Sequence, residues 1–314
     1  MRSRHLKIIT PKLTSTTTLR MLAYLLPMTF ILLSACSHRP ETVTASDSHQ
    51  VIQIKGSDTL LNLALAWAEA YQQVEPTTSI AITGGGTGTG IAALINHTAD
   101  IANASRPMKE EEIAAAKVSG FEPMEFPIAI DALAIVVHPN NPVSQLTLDQ
   151  LSDMFTGRIT NWKEVGGNDA PIVLVSRDSN SGTHVYFLEV VVRKGAKDNK
   201  DIFAPQTLLM PSSVGITSEI SRNPNAIGYD GLGYVTEHEK VIAVAHDSNS
   251  PFVLPAAETA SNGSYSLARQ LYMYTAGVPT GAISRYLDWI RGSEGQKIVT
   301  QLGFVPLAIA AEAP

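Results

Sequence analysis

A single cysteine in 314 residues, Cys36, rules out an internal disulfide, so the fold has to be held by its apolar core. Runs of lysine and arginine are missing as well, alone or interleaved with aromatics. That argues against nucleic acid, whose binding rests on neutralising phosphates with clustered cations. The histidines, at 5, 38, 49, 97, 138, 184, 238 and 246, form neither an H-E-x-x-H nor a close pair. The glycine-rich stretch 84–90 lacks the Lys-Ser/Thr of a P-loop, and Thr89 stands where G-x-G-x-x-G needs its third glycine. Ser181 has no glycine two before it and so lies outside a G-x-S-x-G elbow. An esterase or phosphatase would need an activated nucleophile that these motifs do not supply. The chain is read as a non-enzyme, with no cofactor and no metal. Internal repeats and low-complexity blocks are absent too, which excludes solenoids and arrays.

What is present begins with a charge asymmetry. Residues 1–20 carry Arg2, Arg4, Lys7, Lys12 and Arg20 with no acid, and lead into the apolar "MLAYLLPMTFILLSAC". That segment is shorter than the roughly 20 residues of a bilayer-spanning helix, so a secretory signal is expected over 1–35. Leu33-Ser34-Ala35-Cys36 resembles the lipobox of bacterial lipoproteins, in which the cysteine is acylated and becomes the mature N-terminus. Several acyl chains make a lasting anchor, unlike one. Residues 36–50 are polar and aperiodic, as a lipidated tether would be, and folding is expected to begin near Val51. Ser37, where an aspartate could stand, resembles lipoproteins sorted to an outer membrane. Removing 1–35 leaves 18 Lys+Arg against 29 Asp+Glu, a net charge of −11. A small anion would then be held by a local site working against the overall field.

The folded part alternates strands with helices. Strands are expected at 51–55, 79–83, 99–104, 131–137, 171–176 and 271–275; helices near 59–73, 90–97, 109–118, 183–193, 213–223 and 280–300. This order predicts an α/β protein with a parallel-rich sheet. The run "FPIAIDALAIVVHP" is apolar enough for a strand buried on both faces.

Three strand-to-helix junctions share one chemistry. They are Gly56-Ser57-Asp58-Thr59, the loop 84–90 with Thr87, Gly88 and Thr89, and Arg177 through Thr183. Each sets glycine and hydroxyl residues at a helix start, where unpaired N–H groups and the positive end of the helix dipole favour an anion. Arg177 adds a fork that can grip two oxygens at once. Ser, Thr and Asp are also ordinary N-caps, so a single such loop would imply only a cap. His184, beside the third loop, reads as a capping or surface residue.

With those loops in hand, the sequence resembles the phosphate-binding proteins that serve bacterial phosphate ABC transporters, of the periplasmic-binding-protein superfamily. The likeness runs through 51–307 in "IKGSDTL", "GGGTGTGI", "ADIANASRPMK", "LDQLSDMFTGRITNWKEVGG", "SRDSNSGTH", "NAIGYDGLGYV" and "GFVPL". It implies a two-lobed, type II α/β fold whose lobes are joined by two crossing strands and close on a ligand in the cleft between them. Residues 50–132 would begin lobe one, 133–270 would form lobe two, and 271–314 would return to lobe one. Carried over residue by residue, the phosphate ligands are Thr59 and Leu60, Thr87, and Arg177, Ser181, Gly182 and Thr183. Ser57, Asp58 and Gly88 fall in the same loops.

Two departures bear on selectivity. Ser105 and Arg106 stand where many members carry an aspartate, and Ser179 stands where another would follow the arginine. Those aspartates suit accepting a proton from phosphate, which is how such a site rejects fully ionised sulfate. Asp178 and Asp58 are candidates to replace them. Arg106 would add positive charge, or serve at the rim or in a salt bridge. The implied protein is a monomeric receptor, lipid-anchored on the outer side of a bacterial membrane, that captures inorganic phosphate and passes it to ABC permease subunits. The alternatives are a receptor for sulfate, molybdate or tungstate, and a surface adhesion or signalling lipoprotein without a transport role.

Overall fold

The structure, a computed structural model, describes residues 50–307. The expected signal over 1–35, Cys36 and all but the last residue of the tether lie outside the described residues.

In chain order the regular elements are β1 (Gln50–Gly56), α1 (Leu61–Val74), β2 (Thr78–Thr83), α2 (Thr87–Ile95), β3 (Ile101–Ala104), α3 (Glu110–Val118) and β4 (Pro123–Val137). Then follow β5 (Gln145–Thr147), α4 (Leu148–Phe155), β6 (Val173–Arg177), α5 (Gly182–Phe187), β7 (Leu208–Met210), α6 (Ser213–Ile220), β8 (Ala226–Gly231) and β9 (Lys240–Ala245). The chain ends in α7 (Ala257–Ser261), β10 (Ala268–Ala276), α8 (Gly281–Arg291) and α9 (Ser293–Gln301).

The strands run in the order β2-β1-β3-β10-β4-β8-β6-β7, with β9 on β4 and β5 on β9. β4 is the element that organises the two halves. Residues 123–132 pair antiparallel with β10, and from Leu133 onward the same strand pairs with β8, then also with β9. Its sequence explains why it can belong to both halves. Every residue from Ala132 to Val137 is buried, as a strand covered on both faces requires. The sheet is therefore mixed rather than parallel-rich. β1 is parallel to β2 and β3, and β6 to β7 and β8, while every pairing of β4 and of β10 is antiparallel. Periodicity reports burial, not strand direction, so the sequence could not separate these cases.

Each half has its own apolar core. Ile52, Ile54, Leu63, Trp67, Leu271, Tyr286 and Leu287 pack together around the β1–β3 side. Leu133, Ile135, Phe155, Phe187, Ile227 and Tyr229 do so on the other. In that second core Phe187 stacks on Tyr229 with centroids 3.8 Å apart, and Phe155 meets both edge-on. Two helix expectations change in detail. The single helix expected over 280–300 is two, broken at Gly292, where ψ is 177°. The helix beginning near 183 becomes a π-turn from Leu188 to Val192, with widened i→i+5 bonding. Among the described residues no helix is long and apolar enough to cross a membrane.

Phe155→Ala removes the ring that meets Phe187 at 4.7 Å and Tyr229 at 5.7 Å. Urea unfolding should show a loss of about 3–5 kcal/mol, the usual cost of truncating a buried aromatic. A loss below about 1 kcal/mol would mean that the second core does not depend on this cluster.

Candidate functional site

The first loop is shaped by Gly56, whose φ of +144° disfavours other residues and whose added Cβ would lie 2.2 Å from the Asn103 carbonyl oxygen. The chain then makes a short 3-10 turn over Asp58–Leu60, in which the Leu60 N–H donates to the Ser57 carbonyl. Ser57, Asp58, Thr59 and Leu60 are all buried. Leu60 contributes its side chain to the first core, and its amide is engaged inside the turn.

The second loop leads into α2, which starts at Thr87, three residues earlier than expected. Gly85 N–H donates to Asp58 Oδ1 at 3.1 Å, tying the second loop to the first. Thr87 Oγ1 accepts from the Ser105 N–H at 3.1 Å and lies 3.2 Å from Ser105 Oγ. The loop after β3 thus joins the group.

The third loop, after β6, meets both. Gly182 is the point of closest approach: a Cβ there would lie 2.4 Å from Ser105 Oγ and 2.5 Å from Thr87 Oγ1. Ser181 is the N-cap of α5, accepting from the N–H of Thr183 at 3.1 Å, so the capping role is realised at this position. Thr183 Oγ1 lies 2.8 Å from Thr59 Oγ1. Asn180, which sequence reading did not single out, clasps the second loop: its carbonyl accepts from Gly88 N–H and its Nδ2 donates to the Gly85 carbonyl, each at 3.0 Å.

Arg177 reaches the first loop through Asp58 and is 1% exposed. Nη2 donates to Asp58 Oδ2 at 2.7 Å and to the Pro211 carbonyl at 3.2 Å; Nη1 donates to Ser213 Oγ at 3.1 Å, and Nε to the Met210 carbonyl at 3.4 Å. A guanidinium has five N–H groups, and these four bonds leave one on Nη1. Of the two candidate carboxylates, Asp58 reaches Arg177. Asp178 uses its main chain in the turn, with its N–H on the Met210 carbonyl and its own carbonyl accepting from Ser181.

Arg106 does not bring a free positive charge to the loops. Glu112 grips its Nη1 and Nη2 at 2.7 Å each, and the capping turn of α3 places that glutamate. The salt-bridge reading therefore describes Arg106, although its buried Nε has no partner among the described residues. The Glu112 carboxyl is held below the usual range: burial pushes it up, but the bond and charge of Arg106 and the Lys109 N–H outweigh that. His184 is not a surface residue. It is buried, its Nδ1 donates to the Arg177 carbonyl at 2.8 Å, and burial pushes its imidazole down.

Three further buried charges were not anticipated. Asp230 Oδ1 accepts from Ser213 Oγ at 2.8 Å, which links it to Arg177 through one hydroxyl. Asp131 on β4 and Arg269 on β10 form an ion pair at 2.9 Å. Burial pushes the Asp230 carboxyl up to about 6, against the opposing charge of Arg177, and pushes Asp131 up against Arg269. The sequence did hold a signal for one of them: Asp131 is the only charge in the run "FPIAIDALAIVV". A hollow of ≈ 460 Å³ lined by Glu189, Arg193 and Lys197 follows the other end of α5 and contains none of these groups. Among the described residues no cluster of His, Cys, Asp and Glu could hold a metal.

What the loops bring together is a buried cluster of hydroxyls and N–H groups, with Arg177 tied to it through Asp58. Such a cluster can hold a small oxyanion.

Comparison with known proteins gives consistent neighbours. A family model described as a PBP superfamily domain matches residues 42–294. The phosphate-binding protein PstS of Pseudomonas aeruginosa is 34% identical over 285 residues, covering 85% of this chain and 86% of that protein. PstS of Bacillus subtilis is 32% identical over 257 residues, covering 82% and 80%. A crystal structure from Clostridium perfringens, described as a phosphate ABC transporter substrate-binding protein with bound phosphate, superposes with a TM-score of 0.73. It is 35% identical and covers 82% of this chain and 100% of that one.

Asp230 provides a test of the buried network. Its raised carboxyl binds a proton more tightly folded than unfolded. Its contribution to stability is therefore complete below the unfolded value, near pH 4, and is lost as pH rises through about 6. Asp230→Asn keeps an acceptor for Ser213 and Gly231 but cannot titrate. Relative to the unaltered protein it should gain about 2 kcal/mol between pH 4 and pH 7 in urea unfolding. The same difference at both pH values would contradict this account.

Proposed function

The chain belongs to the PstS family of phosphate-binding proteins within the PBP superfamily, and from that premise we propose that it captures inorganic phosphate outside the cytoplasm for an ABC importer. The observation that carries the proposal is the meeting of Thr59, Thr87, Ser105, Gly182 and Thr183, joined to the buried Arg177 through Asp58, which lies in the same loop as Thr59 and also holds Gly85.

The chemistry follows from those groups. Arg177 supplies the positive charge, and the hydroxyls of Thr59, Thr87, Ser181 and Thr183 with nearby main-chain N–H groups supply neutral donors. Asp58 supplies the acceptor. Each of its oxygens takes one bond, from Gly85 N–H and from Arg177, which leaves lone pairs for the proton of hydrogen phosphate. Sulfate has no such proton, so its oxygens would face a carboxylate with nothing between them. The chemistry is binding and release, without bond making or breaking.

Residues 50–132 with 271–314 act as one lobe and 133–270 as the other, closing over the anion on the crossing strands. Asp58–Arg177, Thr59–Thr183 and Asn180 with Gly85 and Gly88 are contacts that closure would make. Cys36 carries the lipid anchor and the closed form docks on the permease subunits.

Calorimetric titration of the full-length protein, stripped of bound anion, tests the reading. Phosphate should bind and sulfate should bind at least about 100-fold more weakly. Arg177→Ala should lower phosphate affinity by roughly 100-fold or more, since bonds to a charged group are each worth about 1.5–3 kcal/mol. Unchanged affinity in Arg177→Ala would remove this site, and equal binding of sulfate would remove Asp58 as the selecting acceptor.

A further inference from the structure

We propose that Arg269, held by Asp131, is a positioning residue of the oxyanion site: it takes up a lone pair of the Thr183 hydroxyl, so that the Thr183–Thr59 pair has a proton, rather than that lone pair, to turn towards a ligand. The inference rests on the phosphate reading given above and adds residues outside the three loops.

The placement comes first. Asp131 and Arg269 are register partners across β4 and β10, two positions before β4 first pairs with β8 at Leu133. Arg269 Nε and Nη2 both donate to Asp131 Oδ2, at 3.2 and 2.9 Å. Its guanidinium carbon also lies 5.2 Å from the centre of the Tyr186 ring, a favourable seat for a cation. Arg269 is 7% exposed and Asp131 is 0% exposed, so water does not compete for this geometry.

The consequence is a direction for protons. Arg269 Nη2 donates to Thr183 Oγ1 at 2.8 Å. Arginine can only donate, so Thr183 must accept from it and send its own proton elsewhere. Thr59 Oγ1, 2.8 Å away, is the partner within reach. Either hydroxyl can donate in the Thr183–Thr59 bond, and in both arrangements one proton of the pair is left to point onward. The series Asp131, Arg269, Thr183, Thr59 therefore runs from a buried carboxylate to a pair of hydroxyls with one proton to present and one lone pair already taken by Arg269. An oxyanion accepts such hydrogens; a cation would need lone pairs there. Arg269 thereby sets the sign of ligand that the pair of threonines serves. It does so from a crossing strand while joining hydroxyls of both halves.

A purely structural ion pair would show the same contacts but a different energetic coupling. Removing Arg269 alone would leave Asp131 as a lone buried charge and would threaten folding, so both are neutralised together. Four full-length proteins are titrated with phosphate: unaltered, Asp131→Asn/Arg269→Gln, Thr183→Val, and the triple variant, with thermal unfolding to confirm that each is folded. The paired variant should bind about 10-fold to 100-fold more weakly, the range expected for losing a donor to a charged ligand. The triple variant should bind no more weakly than Thr183→Val, because Arg269 acts through that hydroxyl. Unchanged affinity in the paired variant overturns the proposal. So do losses that multiply in the triple variant, which would show Arg269 acting independently of Thr183. Failure of the unaltered protein to bind phosphate overturns the functional reading itself, which this design separates from failure of Arg269's role.

Discussion

The salt bridge between Arg177 and Asp58 is the contact around which the site is arranged. It joins the end of β6 in one half to the turn after β1 in the other at 2.7 Å, with both side chains almost wholly buried. Asp58 extends the tie to the second loop through Gly85, and Arg177 extends it through Ser213 to Asp230. A buried pair of this kind gains little stability over a well-packed apolar pair, because both ions are desolvated. Stability alone therefore does not account for it, and the proposed anion site would.

Charge is distributed accordingly. Near the loops the buried carboxylates Asp58, Asp131 and Asp230 accompany the buried arginines Arg177 and Arg269, while buried Arg106 is held by its own partner Glu112. Burial raises the carboxyls of Asp230 and Asp131, each against the charge of a neighbouring arginine. The sequence is net acidic, so on the proposed reading an oxyanion would be drawn by oriented N–H and O–H groups and by a local arginine, not by a general positive field. Close packing enforces that orientation: Gly182 has no room for a Cβ beside Thr87 and Ser105.

The sequence carried the loops and the order of the elements well, because glycine-hydroxyl junctions between apolar runs are local features. The three junctions stood out for that reason, and the family resemblance then singled out Thr59, Thr87, Arg177, Ser181, Gly182 and Thr183 within them. What stayed hidden depends on long-range pairing. Arg269 lies in "LARQLYMYT" with nothing beside it to mark a role; only its register opposite Asp131 and its reach to Thr183 give it one. Asn180 looked like one more polar loop residue until the second loop was placed against it. Arg106 shows the converse: its partner Glu112 is only six residues away, and the helix start that brings them together could have been read from "KEEE".

The account places one small oxyanion where both halves meet, and a diffraction structure of the protein grown with phosphate tests that most directly. It predicts phosphate oxygens within hydrogen-bond distance of Arg177, of the Thr183 hydroxyl and of at least one group from the Thr59 and Thr87 loops. Phosphate bound only at the surface, or ordered in one half without contact to the other, would contradict it.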